Sequence, residues 1–115
     1  GAKLETRTPA LRRSDAFKVP TSVIIDNGAS NRFTVIEVTA ADRPALLYNL
    51  AQALFQSKAM LHSAHISTYG ERAVDTFYIT DLFHEKIESK AKMTTLEKRL
   101  LEAAHGLLED NSAVA

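Results

Sequence analysis

The chain has 115 residues, 45% of them hydrophobic, which suits one domain with one modest core. Lys plus Arg number 14 and Asp plus Glu number 14, so the net charge is zero; this argues against nucleic acid or an anionic membrane as the main partner and leaves little repulsion to oppose self-association. There is no cysteine, which excludes disulfide scaffolds and thiolate metal sites and fits a cytoplasmic location, and no apolar run approaches the roughly 20 residues of a membrane span.

The opening Gly1-Ala2 reads as an expression scar, and the absence of an initiator methionine implies a piece of a longer protein. Residues 1–20 carry Arg7, Arg12, Arg13 and Lys18 without a period and are interrupted by Pro9 and Pro20, the pattern of a linker or peripheral arm. Val23-Ile24-Ile25 is a β-branched run and predicts a strand. Asp26-Asn27-Gly28, with Ser30 and Asn31, supplies turn residues, and the stretch from Phe33 to Val38 predicts a second strand hairpinned onto the first.

Asp42-Arg43-Pro44 then opens a helix, with Asp42 as N-cap and proline in the first turn, where its missing N–H costs nothing. Leu47, Leu50, Ala51 and Leu54 form one apolar stripe, and the helix ends near Ser57-Lys58. Leu61 to Thr68 predicts a strand with Ala64 and Ile66 toward the core. Tyr69-Gly70-Glu71-Arg72 is a turn, and Ala73 to Thr80 is the next strand. Asp81 to Glu88 is polar and loop-like. Ser89 caps a last helix whose stripe is Met93, Leu96, Leu100, Ala104 and Leu107, with Gly106 near its end and a frayed tail over 109–115.

From Phe33 the order is β-α-β-β-α, a ferredoxin-like α+β unit without its last strand. The Val23–Ile25 strand can fill the vacant edge position. The expected fold is a four-stranded antiparallel sheet with two helices on one face, in the order N-terminal strand, first, third, second.

The run from Thr34 through Asp42-Arg43-Pro44-Ala45-Leu46-Leu47 resembles the opening of an ACT domain. Ser63 to Ile79, containing Thr68-Tyr69-Gly70-Glu71-Arg72-Ala73-Val74-Asp75, resembles its second and third strands. With Val23 to Asn27 upstream, the likeness is to the C-terminal ACT domain of bacterial PII uridylyltransferase/uridylyl-removing enzymes and covers residues 17–104; the domain itself is expected over 21–108. The resemblance implies a parent that adds uridylyl groups to the PII nitrogen-signalling protein and removes them, and regulatory domains that sense glutamine. Neither a paired-acid nucleotidyltransferase motif nor a His-Asp dyad is present, so a regulatory, non-catalytic piece is expected, with no cofactor. The implied partners are an amino-acid effector, a second ACT domain or a second copy of the chain, and the catalytic domains of the parent.

The strand-to-helix turn suits a zwitterionic amino acid. Backbone N–H groups at a helix start lack intrahelical partners and favour a carboxylate. Asp42 either caps the helix or meets the ligand's ammonium group, and Arg43 helps to hold the carboxylate. The resemblance places ligands at this turn against a partner domain's second strand, so the candidate site is Asp42, Arg43, Pro44, Ala45, Leu46 and Leu47 with His62 and Ser63. Most such motifs have glycine where Ala45 stands; helical φ/ψ accepts alanine, and its methyl narrows the space for a ligand carboxylate. That favours a second possibility, an interaction module without a ligand. His62 and His65 are three apart on a strand, point to opposite faces and share no metal. Arg72 is a solvated turn residue or a contact to a neighbouring domain, and Asp75 is a buried hydrogen-bonded acid or an interface residue.

Overall fold

The computed structural model describes residues 19–106. The basic N-terminal arm, apart from Val19 and Pro20, lies outside them, as do Leu107 and the tail. The elements are β1 (Ser22–Asp26), β2 (Thr34–Ala41), α1 (Leu46–Gln56), β3 (Met60–Tyr69), β4 (Arg72–Thr80) and α2 (Lys90–His105). The strands form one antiparallel sheet in the order β1-β2-β4-β3, as the sequence predicts. Val23 pairs with Val38 and Ile25 with Ile36, so the N-terminal strand does occupy the edge.

Alternation along the two central strands sets the layers. Thr34, Ile36, Val38 and Ala40 of β2 and Ala73, Asp75, Phe77 and Ile79 of β4 are buried beneath the helices, while their neighbours face outward. Leu46, Leu50, Ala53 and Leu54 of α1 and Leu96, Leu100, Ala103 and Ala104 of α2 complete the core, with Met93 packed at its margin. Helix α2 lies over β1 and β2, and α1 leans toward β3.

A polar network fastens the loop at residues 81–88 to the first hairpin. The hydroxyl of buried Thr34 donates to Asn27 Oδ1 at 2.6 Å and accepts from Ile87 N at 2.9 Å, while Asn27 Nδ2 donates to Ile87 O at 2.8 Å. Every polar side-chain atom of that trio has a partner, which is what burial demands. Ser89 caps α2, accepting from Lys92 N at 3.3 Å, and Gly106 ends that helix in the left-handed conformation at φ 84°.

Three expectations are corrected. Asp42 is not an N-cap: α1 begins at Leu46 and its N-cap is Ala45, left-handed at φ 69°, with no side-chain capping bond. The late start rotates the apolar stripe, so Leu46, Leu50, Ala53 and Leu54 are buried, whereas Leu47 is exposed and Ala51 only half-buried. Ala64 and Ile66 sit opposite Phe77 and Asp75, on the helix side of the sheet, yet both are exposed because β3 is an edge that the helices leave uncovered.

The third correction concerns the histidines. The register of β3 slips between Leu61 and Ser63, a β-bulge with His62 as the extra residue. It places His62 on the open face with Ser63 and His65. The rings show this: His65 meets Tyr78 at 5.6 Å, Tyr78 meets Phe33 at 6.2 Å and Phe33 meets His62 at 5.0 Å.

Candidate functional site

Residues 41–46 turn the chain from β2 into α1, and backbone bonds hold that turn from both sides. Asp42 N donates to Glu71 O at 2.8 Å, tying it to the β3–β4 hairpin. The hairpin itself is a two-residue turn with positive φ at Gly70 alone, which fits a type II′ geometry. Leu46 N donates to Arg43 O at 3.2 Å, and the first α-helical bond runs from Asn49 N to Ala45 O at 2.8 Å.

Arg43 reaches across to α2. Its Nη2 donates to Ala103 O at 3.0 Å and Ala104 O at 2.7 Å, the last carbonyls of α2, where a cation also meets the negative end of the helix dipole. The guanidinium fits because residue 106 is glycine: a Cβ there would lie 2.8 Å from Arg43 Nη1. Arg43 therefore positions the turn against α2.

Ala45 supplies the turn's strained residue. Left-handed φ costs a non-glycine residue about 1–2 kcal/mol, so a glycine preference at this position is one of backbone conformation and not only of ligand space. With Ala45 so placed, α1 starts without a side-chain cap, in a turn that also carries Asp42.

Two buried side chains on the α1 side of the sheet each carry one polar atom without a partner. Asp75, at the centre of β4, is 2% exposed, and its Oδ1 accepts no hydrogen bond. Its pKa is raised, first by burial and then by the negative charge of Asp42. Asn49, in the first turns of α1, is 7% exposed, and its Nδ2 has no acceptor. Of the two readings open for Asp75 in the sequence, burial is the one observed, but without the hydrogen bond on Oδ1. The sequence carries little signal for Asn49, because a lone Asn in a helix has many surface roles; its position one residue before the central Leu50 is the available one.

His62 and Ser63 are not brought to the turn within one chain. Both lie near the Thr80 end of the sheet, whereas the turn adjoins Arg72 at the other end. Ser63 and Tyr69 are six steps apart along the strand, about 20 Å at the usual rise. His62 Nε2 bonds Thr80 Oγ1 at 2.8 Å; that hydroxyl donates to Asp81 O at 2.8 Å, so the imidazole carries its proton on Nε2. His62, His84, Phe33, Arg32 and Lys86 line a polar cleft of about 410 Å³, and a second cleft of about 330 Å³ lies between the end of α1 and α2. Neither includes a residue of the 42–47 turn. Among the described residues no three groups are placed to hold a metal ion, and no helix is long and apolar enough to cross a membrane.

No family model matches the chain. It is 64% identical over 102 residues to the bifunctional uridylyltransferase/uridylyl-removing enzyme of Novosphingobium aromaticivorans, an alignment covering 89% of this chain and 11% of that enzyme. Against the enzymes of the same name from Zymomonas mobilis and Erythrobacter litoralis it is 57% and 52% identical, over 85% and 89% of this chain and again 11% of each relative. The chain thus spans about a tenth of the length of these relatives. Identity at this level over most of the chain, on a ferredoxin-like α+β fold, makes it a homologue of one segment of the bifunctional uridylyltransferase/uridylyl-removing enzymes, and it belongs to that family.

Proposed function

We propose that the chain is an ACT-type regulatory domain that responds to glutamine and thereby controls uridylylation and deuridylylation of the PII protein by a cytoplasmic parent enzyme. The observation that carries this is the 42–47 turn: an uncapped helix start beside one acidic side chain. A zwitterionic amino acid needs donors for its carboxylate and an acceptor for its ammonium group, and the turn offers both within a few residues. Asp42 and the backbone at Ala45 and Leu47 make the contacts, Pro44 and Leu46 line the site, and Arg43 keeps the turn seated on α2.

His62 and Ser63 join this site only from a second domain. The uncovered edge suits such pairing. β3 presents unpaired backbone groups along one side, and Leu61, Ile66 and Tyr69 on it and Leu47, Tyr48 and Phe55 on α1 are exposed apolar residues. The partner is a preceding domain of the same kind or a second copy of this chain.

A second reading has its own support. The Ala45 methyl stands where the ligand would approach, and the apolar edge alone would serve a ligand-free pairing module that docks on the catalytic domains. Calorimetric titration of glutamine into the chain separates the two. Saturable heat with glutamine, absent with a matched neutral amino acid, supports sensing; no heat at any concentration supports the pairing module.

A further inference from the structure

Asp75 and Asn49 are complementary in chemistry and alike in predicament. One presents an acceptor, Oδ1, and the other a donor, Nδ2; both residues are more than nine-tenths buried, and neither of these atoms finds a partner. Both belong to the layer between α1 and the sheet, Asp75 from beneath and Asn49 from above. Native interiors rarely carry such atoms without a reason. The Thr34–Asn27–Ile87 network in the same domain is fully bonded.

The charges around Asp75 point to the missing group. Asp42, from the turn, acts on it as a like charge. The nearby cations are engaged elsewhere: Arg43 on the carbonyls of α2, and Arg72 over the ring of Tyr69 at 5.9 Å. A buried acceptor that repels a neighbouring carboxylate is matched by a cation with hydrogens to donate. The orphan amide N–H of Asn49 is matched by an oxygen. A molecule that carries an ammonium group and a carboxylate on one carbon supplies both. Ile66, the register partner of Asp75 on the edge strand, and Leu47 on α1 are each about half exposed.

We propose that Asp75 and Asn49 form the inner seat for an α-amino acid held at the 42–47 turn, Asp75 Oδ1 accepting from its ammonium group and Asn49 Nδ2 donating to its carboxylate, with Asp42 at the mouth. The assignment rests on the amino-acid reading of the turn and adds the two residues that recognise the zwitterion.

The test is titration of the chain with glutamine, with glutaramic acid (the same skeleton without the ammonium group) and with asparagine, leucine and serine, against Asp75→Asn and Asn49→Leu. Glutamine should bind the wild type. Asp75→Asn should weaken it about ten- to hundredfold, the loss expected for a buried hydrogen bond to a charged group, while raising the unfolding temperature of the ligand-free chain. Glutaramic acid should bind no more tightly to the wild type than to Asp75→Asn. Equal glutamine affinity in wild type and Asp75→Asn overturns the seat and leaves the turn as the binding element. If glutamine fails but another of the amino acids binds in an Asp75-dependent way, the seat stands and glutamine is the wrong effector. If none of the amino acids binds, the seat is wrong too. Should Asp75→Asn not fold, Asn49→Leu decides: unchanged affinity overturns the seat, and a loss of about tenfold supports it.

Discussion

The two sides of the domain solve the same problem differently. Under α2, each buried polar group is bonded, the helix is capped by Ser89 at one end and by Gly106 and Arg43 at the other, and β1 and β2 are covered. Under α1, Asp75 and Asn49 hold orphan atoms, the helix starts on a strained alanine without a cap, and the β3 edge leaves Ile66 and Leu61 in water. Sequences that specify a fold agree with themselves at every level, and the places where they disagree tend to be the working ones. On the proposed function, the α2 side supplies the architecture and the α1 side the binding site.

The largest expected effect tests the core that both sides share. Leu50→Ala should cost about 2–5 kcal/mol by chemical denaturation, since Leu50 is fully buried. Leu47→Ala, one turn away but exposed, should change stability by less than about 0.5 kcal/mol. Equal losses would mean that α1 starts where Pro44 suggested it would.

Next comes the satisfied network. Thr34→Val keeps the volume but strands Asn27 Oδ1 and Ile87 N, and should cost about 1–3 kcal/mol. On the α1 side the matching experiment has the opposite sign. Asp75→Asn should stabilise the chain at neutral pH. Burial raises the Asp75 pKa in the folded state above its unfolded value, so the folded chain holds that proton more tightly. Its contribution is therefore fully present below the ordinary carboxylate range and is lost as pH rises through the raised pKa. The wild type should lose stability across that window relative to Asp75→Asn, which urea unfolding at a series of pH values will show. A Thr34→Val variant with no loss, or an Asp75→Asn variant that is less stable at neutral pH, would erase the contrast.

The smallest effect sharpens it. Ala45→Gly should stabilise by no more than about 1 kcal/mol, because relief of left-handed strain is partly offset by the greater freedom of glycine in the unfolded chain. The same substitution removes the methyl at the helix start, so glutamine affinity should rise if that turn binds it.

Strand order and the edge role of Val23–Ile25 were legible in the sequence because β-branched runs and turn residues mark them directly. So were Ser89 and Gly106, whose side-chain oxygen and missing Cβ are local properties. What was not legible depends on one residue acting over a distance. Ala45 takes a conformation that its residue type disfavours, and this delays α1 and shifts the buried stripe from Leu47 to Leu46. His62 is the extra residue of a bulge, and no local signal distinguishes it from a regular strand residue. Ala64 and Ile66 do face the helix layer, but their exposure follows from how far two helices reach across four strands. At the candidate site, Asp42 and the turn were visible as a pattern of donors and charge. The bonds of Arg43 to α2 and the orphan pair on the α1 side needed the assembled layers.

The most direct test of the division between the two sides is an NMR titration of the chain with glutamine, with backbone amides followed residue by residue. The account predicts shifts at residues 42–47, at Asn49 and at Asp75, with the Thr34–Asn27–Ile87 network unmoved. Shifts confined to His62, His65 and the 81–88 loop, sparing the turn, would contradict it.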